Sequence, residues 1–485
     1  MVSWLHSKHP LRLALILWAV YALAVCVIVA RDPLTREVTS AYRFGSRAFF
    51  TSQDMYPRGL HGWLYPPHSA VALWPFALSD GSPIIPIELG WRLLGIGALC
   101  LATWQLWRRL VAAPAPREPP VWRGLPQSAL HAAPLFLFMS AVAMITAAGS
   151  SRTGQVNSLL GASFVLCALA LADRLWWRAA AFLGVAFAIK PQALPLMLVA
   201  GVLYPPFAWR MAVVSLALLA LPWLRGDWSY VWQQHIGWFV KMRDDATPEP
   251  GTWADICGLL VPALKWLGID VPTRGWTMLR ALMAPITLGA CWWLTRAAGA
   301  QSEGGLAAQT PSQREGAGGG RVLHDDVTAG PSTLEAGHGA PSAASAAGVA
   351  GAVLPSLPTP QPPPSGRGLQ PPSTSLERVR AAFMVLTLCT TYIMLFNPRT
   401  EGNTYAVFGP VAGTVAAIAL RERRWSLSAV CVLACVGLMF SRELTLNVTN
   451  FWVRPLAAIV ICGGAVILAR GWAKAARGPA GAWVN

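Results

Sequence analysis

Apolar residues run in long blocks along this chain, broken by short polar or basic segments. A helix that crosses the hydrocarbon core of a bilayer needs roughly 20 such residues in succession. The pattern predicts spans over about 10–30, 84–107, 130–149, 156–172, 179–189, 191–204, 211–223, 277–295, 379–396, 404–420, 426–440 and 453–471. Several are short, so they must tilt, extend at their ends or serve as half-helices. Residues 67–79 form a further short apolar run, read as a re-entrant or interfacial helix. Pro191 follows Lys190 and breaks the helix there, which makes 179–204 a hairpin. Between Glu37 and Gln53 the spacing suits an amphipathic helix in the interface, with Tyr42, Phe49 and Phe50 as its apolar contacts. Residues 299–375 differ in kind, being rich in Gly, Ala, Pro and Ser without apolar periodicity. Such a stretch cannot bury enough surface to offset its ordering entropy and is expected to be disordered. The chain therefore divides into an N-terminal transmembrane block (1–298) with loops at 31–66 and 224–276, a linker (299–378), and a C-terminal transmembrane block (379–485).

Composition supports this reading. Of the 485 residues 54% are hydrophobic and only 12% charged, with a mean hydropathy of +0.46. Too little polar surface remains to coat a water-soluble body of this size. Trp107, Trp176, Trp223 and Trp425 stand at block edges, as in an interfacial aromatic belt. The net charge of +16 does not form a stripe that would follow nucleic acid; the basic residues cluster at the ends of apolar blocks. Arg108-Arg109, Arg174, Arg178, Arg210, Arg296, Arg421 to Arg424, Lys474 and Arg477 are expected on the cytoplasmic side. The loops 31–66, 150–157, 224–276, 397–403 and 441–452, with the Lys190 turn, then face outward. Lys8 and Arg12 before the first apolar run resemble a signal peptide, but a retained first span fits the polytopic remainder better. The nine cysteines lack CxxC or metal-ligand spacing, so neither disulfides nor a metal or other cofactor is expected.

The outward loops carry the polar residues. Asp32, Glu37 and Asp54 are carboxylates suited to general-base work, or to a surface helix and turn; Tyr42, Tyr56 and Tyr65 accompany them. Gln155 and Asn157, after Arg152, either cap the next helix or bond sugar hydroxyls. Lys190 beside a helix-breaking proline is expensive in lipid, which suits a phosphate partner, unless the side chain snorkels to the interface. Arg399, Glu401, Asn403 and Tyr405 crowd one short segment, where Arg399 serves either a turn-stabilising pair with Glu401 or a phosphate. His235 lies in an aromatic-rich stretch compatible with carbohydrate stacking.

Taken in order, these pieces resemble glycosyltransferase family 87, the polyprenol-phosphate-mannose-dependent mannosyltransferases of the C-type membrane glycosyltransferase fold. The matching residues are Tyr42 through Asp54-Met55-Tyr56-Pro57, Leu64-Tyr65-Pro66-Pro67, Gly154-Gln155-Val156-Asn157, Gly184 through Lys190-Pro191, and Arg399-Thr400-Glu401-Gly402-Asn403 with Tyr405. The resemblance implies an all-α, polytopic transmembrane helical bundle that moves a hexose, mannose, from polyprenyl phosphate to a glycan or glycolipid acceptor. The transfer is expected on the non-cytoplasmic face, without a metal, and a bacterial inner membrane is the simplest home. Membrane lipid is then a partner and nucleic acid is not. Lys190, Arg399 and Arg152 would hold the donor phosphate. Tyr42, Tyr56, Tyr65, Gln155, Asn157, His235, Glu401, Asn403 and Tyr405 would contact substrate. The sequence departs from the family at Val38, where the catalytic aspartate belongs; Glu37 is expected to substitute, ahead of Asp32 or Asp54. A polytopic transporter or lipid flippase, or a degenerate family member, is the rival reading, since intramembrane charges and broken helices suit those as well.

Overall fold

The apolar blocks fold as helices that run back and forth between two levels. The computed structural model describes residues 9–34, 37–57, 63–112, 120–122, 125–126, 131–245, 254–307, 372–397, 400–444 and 450–476. In order the helices are α1 (His9–Arg31), α2 (Thr39–Phe50), α3 (Pro67–Ala72), α4 (Ile85–Leu106), α5 (Ala133–Thr153), α6 (Asn157–Ala172), α7 (Trp176–Ile189) and α8 (Leu194–Leu203). There follow α9 (Pro205–Ala220), α10 (Trp228–Asp245), α11 (Ile256–Trp266), α12 (Thr273–Ala307), α13 (Pro372–Phe396), α14 (Gly409–Arg421), α15 (Trp425–Leu444) and α16 (Asn450–Ala476). A short antiparallel pair, β1 (Pro120–Trp122) with β2 (Leu125–Pro126), interrupts an otherwise all-α bundle. Among the described residues seven helices, α1, α4, α5, α9, α12, α13 and α16, are long and apolar enough to cross a membrane. Shorter apolar helices lie on the remaining expected spans. The described residues up to 301 and from 372 onward form one compact unit.

Two expectations are corrected. The segment 224–276 is no loop: it holds α10, α11 and the start of α12. Tyr230, Val231, Gln234, Trp238 and Lys241 recur at helical spacing and are all buried, a stripe hidden among the loop-like aromatics and amides. The expected linker also loses its edges, because 299–307 continue α12 and 372–378 open α13. Once an apolar span has nucleated a helix, each further residue adds a hydrogen bond without a new nucleation cost, so the helix runs on into its flanks. The remainder of that linker lies outside the described residues.

Helices α6 and α14 are apolar around their whole circumference, and nearly all of their residues are buried. Helix α6 packs against α4, α7 and α13, while α14 packs against α5, α15 and α16. Small residues permit the closest approaches. A Cβ on Gly161 would lie 2.8 Å from the Val407 Cα, and one on Gly413 would lie 3.2 Å from the Met139 Cα. By contrast Val20 and Leu23 of α1, Val213 and Leu216 of α9, and Leu282 and Ile286 of α12 are exposed, an apolar surface suited to lipid.

The ends of the bundle differ. At one end Arg109 pairs with Asp173, Arg421 Nη1 donates to the Leu110 carbonyl at 3.2 Å, and Trp472 Nε1 donates to Glu422 at 2.6 Å. Arg109 and Arg421, from two of the expected basic clusters, thus stand at that end. The polar motifs gather at the other end.

Candidate active site

The site is built where α5 gives way to α6. The Val38 amide donates to the Thr153 carbonyl at 2.9 Å, which ties the start of α2 to the last turn of α5. Gly154 then ends α5 at φ +73°, a left-handed conformation that glycine adopts freely. A Cβ at that position would lie 2.6 Å from Thr39 Cγ2 and 2.9 Å from Arg92 Nη2. Trp91 Nε1 donates to the Gly154 carbonyl at 2.9 Å. The chain is thereby turned so that Gln155 and Asn157 stand at the head of α6.

These amides join two charges into one relay. Lys190, in the turn between α7 and α8, donates from Nζ to Asn157 Oδ1 at 3.0 Å. Asn157 Nδ2 donates to Gln155 Oε1 at 2.6 Å, and Gln155 Nε2 donates to Glu401 Oε2 at 2.8 Å. An ammonium offers only donors and a carboxylate only acceptors, so the ends of the relay fix the orientation of both amides. Burial pushes the Lys190 ammonium below its ordinary pKa, and Glu401 opposes that shift. Helix α6 starts without a side-chain cap, so its first amides add a positive field beside the lysine.

Aromatic rings wall the relay on one side. Tyr42 meets Tyr65, Phe76 and Trp91 edge-on at centroid distances of 5.6, 5.7 and 6.1 Å. The Tyr42 hydroxyl accepts from the Val156 amide at 3.3 Å. Burial, with Tyr65 adding to it, holds the Tyr42 phenol well above its ordinary pKa, and burial pushes Tyr65 up to about 12. Both therefore stay protonated and can only donate or accept hydrogen bonds. Gly45 lets α2 sit on this wall, because a Cβ there would overlap the Trp63 ring at 2.1 Å.

Glu37 faces elsewhere. Its Oε1 is paired with Arg43 Nη2, and its Oε2 accepts from Thr39 Oγ1 at 2.7 Å and from Arg43 Nη1 at 3.0 Å. Arg43 also reaches Glu88 at 2.6 Å, and Glu88 reaches Arg92 at 2.5 Å. The result is a quartet of two carboxylates and two guanidiniums whose side chains are at most 8% exposed. Every oxygen of Glu37 already receives a strong donor. Val38, its neighbour, instead packs against the aromatic wall.

The other expected residues divide. Glu401 is exposed at the mouth, and among the described residues its Oε1 accepts no hydrogen bond. Asn403 presses its side-chain oxygen toward Gly149. Tyr405 is buried and donates to the Ala254 carbonyl at 3.0 Å. Tyr56 donates to the Tyr65 carbonyl at 2.7 Å and braces the loop. Asp54 is exposed and accepts from the Tyr56 amide at 2.9 Å. His235 bonds the Val231 carbonyl at 2.9 Å on its own helix and stacks on Trp223. Asp32 and Arg152 line a separate cavity with Arg31 and Arg92. Arg399 lies outside the described residues. The structure thus brings together Lys190, Asn157, Gln155 and Glu401, with Tyr42 and Tyr65 beside them.

Sequence reasoning missed Glu88, Arg92 and His68. The first two stand four apart inside an apolar span, which is itself a signal. His68 follows Pro66-Pro67 and left no such mark. It is fully buried, with Nε2 donating to the Phe187 carbonyl at 3.3 Å. Among the described residues no three His, Cys, Asp or Glu side chains gather as a metal-binding group would require.

Residues 63–310 match the sequence profile of glycosyltransferase family 87. No curated protein matches the chain. The matched region contains Tyr65, Gln155, Asn157 and Lys190, which stand together in the structure, and leaves Glu37, Tyr42 and Glu401 on either side. Since the match spans just over half of the 485 residues, the chain belongs to glycosyltransferase family 87 and is a membrane glycosyltransferase.

Proposed function

We propose that the chain transfers mannose from a polyprenyl-phosphate donor to a hydroxyl of a glycan or glycolipid acceptor, on the non-cytoplasmic face. The observation that carries this reading is the relay, which ends in an ammonium at one extreme and an open carboxylate at the other. A glycosyl phosphate needs a cation where its leaving group gathers charge, and Lys190 beside the amides of α6 supplies one. The acceptor hydroxyl needs a base as its oxygen attacks the anomeric carbon. Glu401 has a free oxygen for that proton, whereas both oxygens of Glu37 are held by Arg43 and Thr39. In the step, the acceptor oxygen bonds to the anomeric carbon and the bond from that carbon to the phosphate oxygen breaks. The electron pair leaves with the phosphate, and the hydroxyl proton passes to Glu401. Approach from opposite faces of the sugar gives inversion. Tyr42 and Tyr65 offer a rim of rings and hydroxyls for the sugar. Assignment to the non-cytoplasmic face is supported by the basic clusters at the far end of the bundle, since such clusters are retained in the cytoplasm.

Transfer of radiolabelled mannose from polyprenyl-phosphate-mannose, measured in membranes, tests the assignment. Glu401→Gln and Lys190→Ala are each expected to lower turnover by roughly two orders of magnitude or more. Glu37→Gln should lose less than about tenfold per folded molecule, while melting at a lower temperature because Arg43 loses a buried partner. Full activity in Glu401→Gln with loss in Glu37→Gln at unchanged stability would reverse the roles.

A further inference from the structure

The Glu37–Arg43–Glu88–Arg92 quartet borders a cavity that the transfer reaction does not use. Its volume is about 220 Å³, and Arg31, Asp32, Arg92 and Arg152 line it together with Ile28 and Val29 of α1. Three guanidiniums therefore meet one carboxylate. Arg92 is already shared with Glu88 at 2.5 Å, and its Nε leans on the Arg152 carbonyl at 3.4 Å. Arg31 and Arg152 are exposed at the ends of α1 and α5, and among the described residues neither makes an ion pair. Both stand at the end of the bundle opposite the basic clusters, where arginine is disfavoured unless something anionic meets it. No hydrogen bond among the described residues joins the side chains of Arg31, Arg92 or Arg152 to the Lys190–Glu401 relay.

A second, independent feature leads to the same cavity. The outward face of α1 is a track of exposed apolar side chains, Ile16, Val20, Leu23, Val27 and Ile28, which ends at the cavity's rim. A free anion has no use for such a track. A phospholipid does, because its acyl chain can lie along α1 while its phosphate enters the cavity.

The geometry points to a bound anionic phospholipid, its phosphodiester held by Arg31 and Arg152 with Arg92 behind them. Guanidinium forks suit phosphate oxygens and are fixed here by helix ends on two neighbouring spans. The site is separate from the donor's, so Arg152 serves this lipid and not the sugar donor. Loss of the lipid leaves the relay bonds intact.

Native mass spectrometry of the purified full chain, in micelles doped with equal amounts of phosphatidylglycerol and phosphatidylcholine, tests this directly. The unmodified protein should retain phosphatidylglycerol about tenfold over phosphatidylcholine, as one or two charge-assisted contacts allow. The double variant Arg31→Gln/Arg152→Gln should lose that preference, and Arg31→Lys/Arg152→Lys should keep part of it. Both pairs are surface changes, and a melting curve for each variant shows that it is folded. An unchanged preference in the folded Gln variant overturns the proposal. So does binding of millimolar inorganic phosphate that displaces the lipid, which would make this a site for the free ion. Because retention is read without any sugar donor, failure of this test leaves the transfer reaction untouched, and the reverse holds too.

Discussion

At the residue scale, the sequence marks expensive side chains but not the direction in which they point. Lys190 and Glu401 each stand out as charged residues beside apolar helices, yet the two amides that connect them, Asn157 and Gln155, are fixed only by folding. Glu37 was expected as the base because it neighbours Val38, and adjacent residues at a helix start face different ways. Arg43, six positions further on, takes the carboxylate. His68 shows a residue with no mark in the sequence and a measurable consequence. Burial lowers its pKa from 6.5 to about 4, with the bond to Phe187 opposing and His235 adding slightly. The folded chain thus resists protonation that the unfolded chain accepts. The stability contributed is fully present above about pH 6.5 and falls as pH drops toward about 4, by roughly 3 kcal/mol if the whole shift is realised. Melting in detergent at about pH 7.5 and about pH 5 should show this fall, and His68→Gln, which keeps a donor for Phe187, should flatten it. Equal slopes in both proteins would assign the acid sensitivity to other groups.

At the scale of elements, apolar run length predicts spans well because every backbone amide in a bilayer must be satisfied within its helix. It predicts ends less well. Helix α9 begins at Pro205, before the expected start at 211, because proline fits the first helical turn. The buried stripe of α10 escaped notice because its aromatics and amides read as loop chemistry. Packing partners were not legible at all, since α6 against the strap at 402–407 depends on two segments far apart in the chain. That contact is tight: a Cβ added at Gly161 would lie 2.8 Å from the Val407 Cα, and backbone cannot give as a flexible side chain would. Gly161→Val is therefore expected to destabilise the protein by about 1–3 kcal/mol. It should also lower turnover more than melting alone explains, because Glu401 immediately precedes the strap and moves with it. A variant that melts and turns over like the unmodified chain would show that the strap has room to move.

At the scale of the whole molecule, the two transmembrane blocks are one object. Helix α6 of the first packs on α13 of the second, and α5 packs on α14. No bond in these seams requires a continuous backbone. Residues 1–301 and 371–485, expressed together as separate pieces, are expected to restore sugar transfer in membranes, and each alone should have none. Failure of the pair, with both pieces inserted, would give the residues between them a part in assembly.

The relay also has a consequence in time. Glu401 lies 211 positions beyond Lys190, and ribosomes add roughly 5–20 residues per second, so the lysine waits roughly 10–40 s for its distant carboxylate. During biogenesis the nascent chain holds a cation and two amides with no base to finish the set. The proposed mechanism therefore makes a half-inserted chain catalytically silent, with transfer beginning only when the last block has docked.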